Sequence, residues 1–142
     1  SCTGGLIGSL LTDFPGSSDY FDRSIVTYSY DAKMEHLGVP REVLDDVGAV
    51  SEPVAEQMAR GVRDTAGVTW GVATTGIAGP TGGTDQKPVG TVYIAISNAA
   101  EWGTGESRCR VERYVFDGSR REIKRQIAER ALEDLHDAVE SA

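Results

Sequence analysis

The chain has 142 residues, with 22 acidic against 14 basic side chains and a formal net charge of −8 at neutral pH, a size suited to one domain with its own core. So acidic a surface argues against nucleic acid or anionic membrane as partners, and an anionic ligand then requires a local basic pocket. Two cysteines far apart, Cys2 and Cys109, and two histidines, His36 and His136, offer no metal-ligand spacing, so no metal or cofactor is expected, and free thiols in a cytoplasmic setting are. No apolar run approaches the ~18 residues of a membrane span.

Leu6, Ile7, Leu10 and Leu11 mark one helical face that ends near Phe14-Pro15-Gly16. Ser1, Cys2 and Thr3 then stand at a helix start, where free N–H groups and the macrodipole favour an anion or a developing oxyanion. Helix capping alone explains the same residues. Residues 23–30 alternate as a strand does, with Tyr28 near its end, and Asp31 is predicted to cap a short helix stopped by Gly38 and Pro40. Lys33 sits in the first turn of that helix, so Tyr28 and Lys33 face a common cleft at the carboxyl end of a strand. A solvated surface charge is the plainer reading of Lys33.

A short helix is predicted over 41–47. Ser51, as N-cap before Glu52 and Pro53, opens a longer one to about residue 66, with Val54, Met58 and Val62 on its core face. Residues 68–73 and 89–97 read as strands, the second rich in β-branched and aromatic side chains. A turn-rich connection over 98–105 leads to a strand over 107–116, with Cys109, Val111 and either Tyr114 or Val115 inward and a bulge near its end. The last helix, 119–139, carries Ser119 as N-cap and a stripe of Ile123, Ile127, Ala131, Leu132, Leu135 and Val139.

Two features are less ordinary. Residues 73–92 pack Gly76, Gly79, Gly82, Gly83 and Gly90 with Pro80 and Pro88 between two apolar runs, so this loop is expected to be shaped and to wall a site, although local turns alone also account for its glycines. The last helix has Arg120, Arg121, Lys124 and Arg125 at its start and Glu133, Asp134, Asp137 and Glu140 at its end, the reverse of what the macrodipole favours. An anionic ligand or a neighbouring subunit explains that, and so does ordinary pairing of Arg125 with Glu129 and Arg130 with Asp134.

Four strings carry a resemblance over nearly the whole chain: Ser1-Cys2-Thr3-Gly4-Gly5; Val26-Thr27-Tyr28-Ser29 followed by Lys33; Gly48-Ala49-Val50-Ser51-Glu52-Pro53-Val54; and Thr75-Gly76-Ile77-Ala78-Gly79-Pro80 continuing to Lys87-Pro88-Val89-Gly90-Thr91-Val92. In this order and spacing they resemble the CinA C-terminal domain family, whose stand-alone members are nicotinamide-nucleotide amidases. The resemblance implies an α/β fold, a three-layer α/β/α sandwich around a mixed sheet. It also implies hydrolysis of the carboxamide of nicotinamide mononucleotide (NMN) to nicotinate mononucleotide and ammonia. A serine, a lysine and a tyrosine serve the family, and by motif match these fall on Ser1, Lys33 and Tyr28. Members carry a helix and a strand before the Ser-Cys-Thr-Gly-Gly turn, so those elements are expected upstream of Ser1. Thr75 and Thr81 stand where many members have Ser and Asp.

The chemistry is coherent on its own terms. Ser1 Oγ attacks, neutral Lys33 takes its proton and Tyr28 relays one to the departing ammonia, provided that burial or a nearby cation lowers the lysine pKa. Candidate substrate contacts are Cys2, Thr3, Gly4 and Gly5 at the first turn and Gly76, Ile77 and Ala78 as oxyanion donors. Gly79, Gly82, Gly83 and Lys87 are the candidates around the ribose phosphate, with Arg120 on the last helix. The partner is thus a small nucleotide, and a homo-oligomer, with a dimer favoured, is expected. Two alternatives stay open: a nucleotide-binding or regulatory domain that keeps the pocket without turnover, and Cys2 as nucleophile.

Overall fold

The structure, a computed structural model, describes residues 1–101 and 103–142. Trp102, inside the connection expected over 98–105, lies outside the described residues. The elements in chain order are α1 (Leu6–Leu11), a single 3-10 turn (Ser17–Asp19), α2 (Tyr30–Leu37), α3 (Arg41–Val47), α4 (Glu52–Ala66), β1 (Trp70–Gly76), β2 (Thr91–Asn98), β3 (Arg108–Val115) and α5 (Arg120–Glu140).

The strands form one sheet in the order β1-β2-β3. Both pairings are antiparallel, with Ala73 opposite Ala95 and Ala95 opposite Val111. The sheet separates two apolar clusters, as alternation of side chains along each strand requires. On one face Ala73, Tyr93, Ala95, Cys109 and Val111 meet Val54, Ala55, Met58 and Ala59 of α4, with α2 and α3 beyond. On the other, Trp70, Val72, Val92, Ile94, Ile96, Tyr114 and Phe116 meet Ile123, Ile127 and Ala131 of α5. Small residues let α4 approach closely: a Cβ on Gly71 of β1 would lie 2.9 Å from Arg63 Cβ. Ile94, Ile123 and Ile127 are fully buried, and each contributes about 1.5–3 kcal/mol relative to exposure.

The three layers and the α/β class agree with expectation. The described strands, however, are all antiparallel where a mixed sheet was expected, and residues 23–28 are not a strand. Their alternation is real, with Ile25 partly buried and Thr27 buried while Ser24, Val26 and Tyr28 are exposed. No neighbouring strand pairs with them among the described residues, so the segment is extended without a ladder.

Smaller corrections have local causes. The cap of α2 is Ser29, whose Oγ accepts from the Ala32 amide at 3.0 Å, and not Asp31. Ser51 does not cap α4 with its side chain, because its hydroxyl donates to Gly48 O at 2.8 Å. β3 has no bulge. Its register runs unbroken from Arg108 to Val115, and Val111 and Tyr114, three residues apart, face opposite clusters. In α5, Val139 is 46% exposed while Asp134 is 2% exposed. The carboxylate is tolerated inside because Tyr114 Oη donates to one oxygen (2.8 Å) and Arg130 Nε to the other (2.9 Å).

Candidate active site

The chain from Ser1 to Gly5 is a tight turn pinned to the end of β1. The Ser1 nitrogen donates to Thr74 O at 2.8 Å, a bond that an amide nitrogen makes equally well. Cys2 is buried with its Sγ 3.7 Å from Thr74 Oγ1, and Thr3 is buried beside it. The Gly4 amide donates to Ser1 O at 3.0 Å, so it is not free for a ligand. Gly4 and Gly5 have φ of +62° and +94°, a backbone that a side chain would strain. Cys2 also bears electrostatically on the Lys33 ammonium, so this turn and Lys33 lie within electrostatic range.

Lys33, plainly a surface charge by composition, is 2% exposed. It projects from the first turn of α2 back under the extended segment, and its Nζ donates to Thr27 O (2.7 Å) and Tyr28 O (3.3 Å). No carboxylate pairs with it among the described residues. Burial therefore pushes the ammonium below the ordinary lysine range, with Cys2 opposing. Thr27 Oγ1, on the residue that holds Lys33, is the buried side-chain oxygen left without a partner among the described residues.

Tyr28 is 66% exposed, and its Oη accepts from Arg120 Nη2 at 3.2 Å. Arg120 Nη1 donates to Gly79 O at 2.6 Å. One guanidinium thus joins the Tyr28 segment, the glycine-rich loop and the start of α5. Lys124 stands one turn further along, its Nζ 3.7 Å from where a Cβ on Gly4 would lie.

The loop contributes less than its composition promises. The Ile77 amide is committed to Thr91 O (2.9 Å) and Ala78 is buried against Cys2 and Val92. Gly76 continues the β1 ladder opposite Val92. Gly79 reaches Arg120, whereas Gly82 and Gly83 are exposed, and Lys87 Nζ donates to Val47 O at 3.1 Å, at the end of α3. The contacts of Gly82, Gly83 and Lys87 do not include Ser1, Tyr28, Lys33 or Arg120. Thr74 was not singled out from the sequence, Thr27 entered only as part of a family string, and Lys124 only as one of the four cations at the start of the last helix. A mostly apolar cavity of about 510 Å³ runs along the outer edge of β1 and takes in Ser1, Thr3 and Thr74, but its lining excludes Tyr28, Lys33 and Arg120.

The family described as the CinA C-terminal domain matches residues 1–139. The chain belongs to that family. It is 50% identical over 134 residues to a CinA-like protein of Chlorobium limicola and 52% identical over 124 residues to one of Geotalea uraniireducens. Those matches cover 94% and 87% of this chain but 31% and 28% of the relatives, so the chain spans less than a third of their length. Among solved structures, a CinA superfamily protein from Klebsiella pneumoniae superposes with TM-score 0.90 at 31% identity, covering 100% of this chain and 84% of that one. A competence/damage inducible protein from Agrobacterium tumefaciens gives 0.88 at 42% identity, covering 96% and 80%.

In this CinA-family chain the strings that carry the resemblance converge. The first turn hangs on β1, which leads directly into the Thr75-Gly76 string. Thr75 Oγ1 donates to Ala49 O at 2.7 Å, tying that string to the one between α3 and α4. Among the described residues no group of three His, Cys, Asp or Glu is placed to hold a metal ion, and no helix is long and apolar enough to cross a membrane.

Proposed function

We propose that this domain hydrolyses the carboxamide of NMN to nicotinate mononucleotide and ammonia, with Ser1 as nucleophile, Lys33 as general base and Tyr28 as proton relay. The observation that carries the reading is Lys33: a buried amine held by two carbonyl oxygens, with no counter-charge among the described residues and its pKa pushed down by burial. A lysine in that state gives up its proton more readily than an exposed one, and the lone pair so freed is what a serine hydroxyl needs before it attacks an amide. Membership of the CinA family supports the choice of substrate.

In this reading Lys33 takes the Ser1 Oγ proton as the C–O bond forms, giving a tetrahedral oxyanion. That oxyanion collapses with cleavage of the C–N bond, and Tyr28 passes a proton to the leaving nitrogen, which departs as ammonia. Lys33 returns its proton to Tyr28 and is neutral again; it then deprotonates the water that attacks the ester on Ser1, and passes that proton to Ser1 Oγ as the C–O bond breaks and the carboxylate leaves. Arg120, which has only donors to give, makes the Tyr28 oxygen an acceptor and leaves the phenolic proton free to be passed on. Cys2 has no part in this reading, its thiol lying against Thr74 Oγ1 at 3.7 Å.

The test is ammonia release from NMN by the full-length protein beside Ser1→Ala and Cys2→Ala. Turnover that is lost in Ser1→Ala and kept in Cys2→Ala is the expected result. NMN binding without turnover in the unsubstituted protein leaves a nucleotide-binding domain in place of an amidase.

A further inference from the structure

We infer that Arg120 and Lys124 form a two-cation clamp for a phosphate monoester, so that the amidase site proposed above takes a nucleotide by its phosphate at the start of α5; the inference rests on that reading for the identity of the nucleotide. The first half of α5 carries four cations in a chain of net charge −8. Arg125 is accounted for by Glu129 at 2.7 Å, and further on Arg130 is held by Asp134 and Glu133. Arg120 and Lys124 have no carboxylate among the described residues. Arg120 touches only neutral oxygens, Gly79 O and Tyr28 Oη. Lys124 is partly buried, and neither a hydrogen bond nor an ion pair is recorded for it among the described residues.

Their placement is as informative as their charge. At i and i+4 they share one helix face. Arg120 reaches the loop at Gly79, and Lys124 lies over Gly4, an exposed glycine in the turn that begins at Ser1. The two cations therefore flank the space between the first turn and the glycine-rich loop. The helix start does not need them: Ser119 and Glu122 satisfy it with a reciprocal capping box, and two like charges in the first turns oppose the macrodipole. An anion bridging them removes both penalties. A phosphate monoester suits the pair because its terminal oxygens accept from a planar guanidinium fork and from a lysine point charge at once.

The test is calorimetric binding by the full-length protein in a Ser1→Ala background, with NMN, nicotinamide riboside and inorganic phosphate as separate ligands. Lys124→Gln is expected to weaken NMN and inorganic phosphate by about tenfold or more, to leave the riboside unchanged, and to be largely rescued by Lys124→Arg. Arg120→Gln is expected to weaken the same two ligands. Equal losses for NMN and riboside, no loss for either, or no phosphate binding to the parent protein overturns the clamp. Turnover separates the two readings. Phosphate binding that depends on Lys124 in a protein without ammonia release keeps the clamp and removes the amidase. Ammonia release with a KM for NMN indifferent to Lys124 does the opposite.

Discussion

Lys33 and the glycine-rich loop invert what composition suggests about them. Residues 73–92 draw the eye with five glycines and a lysine, yet much of that glycine serves close packing. At Gly90, φ is +93° and an added Cβ would overlap the Phe116 carbonyl oxygen; at Gly83 one would lie 2.7 Å from Val89 N. Lys33 sits in an unremarkable helical stretch and ends up as the largest fully buried side chain among the described residues. A glycine reports only that something comes near, whether the chain itself or a ligand. A lysine stripped of water and counter-ion stores an unfavourable charge, and that is hard to explain by packing.

The sharpest way to break this contrast is Lys33→Met, which keeps the stem and removes the amine. Loss of a general base is expected to cost about 10²–10⁴-fold in kcat for ammonia release. The pH profile carries the sign. In the proposed mechanism the neutral amine is the active form, so kcat/KM is expected to rise with pH through a Lys33 pKa held below the ordinary lysine range, and that limb to disappear in the variant. Stability moves with it. Between the lowered folded value and the ordinary unfolded one the unfolded chain binds more protons, so the wild type gains stability as pH rises across that window. Denaturation of Lys33→Met across the same range is expected to lack that gain. An unaltered slope removes the buried amine from the account.

Gly90→Ala tests the other half. Left-handed backbone and overlap with Phe116 O together are expected to cost about 3 kcal/mol, read as a lower denaturation midpoint, with KM for NMN unchanged in the protein that remains folded. A raised KM with little loss of stability would return the loop to ligand binding.

Asp134 offers a buried charge of the opposite kind, fully partnered and remote from the site residues. Asp134→Asn is expected to cost about 1–3 kcal/mol by weakening the bonds from Arg130 and Tyr114, without a change in turnover. Burial first, and then Asp134, raise the Tyr114 pKa. The stability that this contributes is present below the ordinary tyrosine value and lost as pH rises through the raised one. Tyr114→Phe should flatten that alkaline loss.

What was legible in the sequence follows the same physical divide. Helices and strands with a clear period, such as α4, α5 and β2, lie within two residues of their expected limits, because burial on one face enforces the period. The segment over 23–28 alternates correctly and still forms no strand, since alternation reports which side faces inward and says nothing of a ladder partner. The catalytic roles of Ser1, Lys33 and Tyr28 came from the family strings, whereas the residues themselves gave a helix start for Ser1 and a shared cleft for Tyr28 and Lys33, with a surface charge as the plainer reading of Lys33. Thr74 left no mark because its role passes through a backbone carbonyl. Lys124 was visible as one charge among four, and only the fold separates it from Arg125, whose acid partner is one turn away.

Lys87 draws the finest line. Its position in the glycine-rich loop made it a reasonable holder of phosphate, yet its ammonium reaches Val47 O, so it spans from the loop to the end of α3. One partly exposed hydrogen bond of that kind is worth about 1 kcal/mol or less. Lys87→Ala is therefore expected to lower the denaturation midpoint slightly and to leave KM for NMN where it was, while Lys124→Gln raises it. If both raise KM alike, the two lysines act through general attraction of an anion to a less acidic surface, and a salt titration would show it, because that attraction fades with ionic strength while a direct contact at α5 persists.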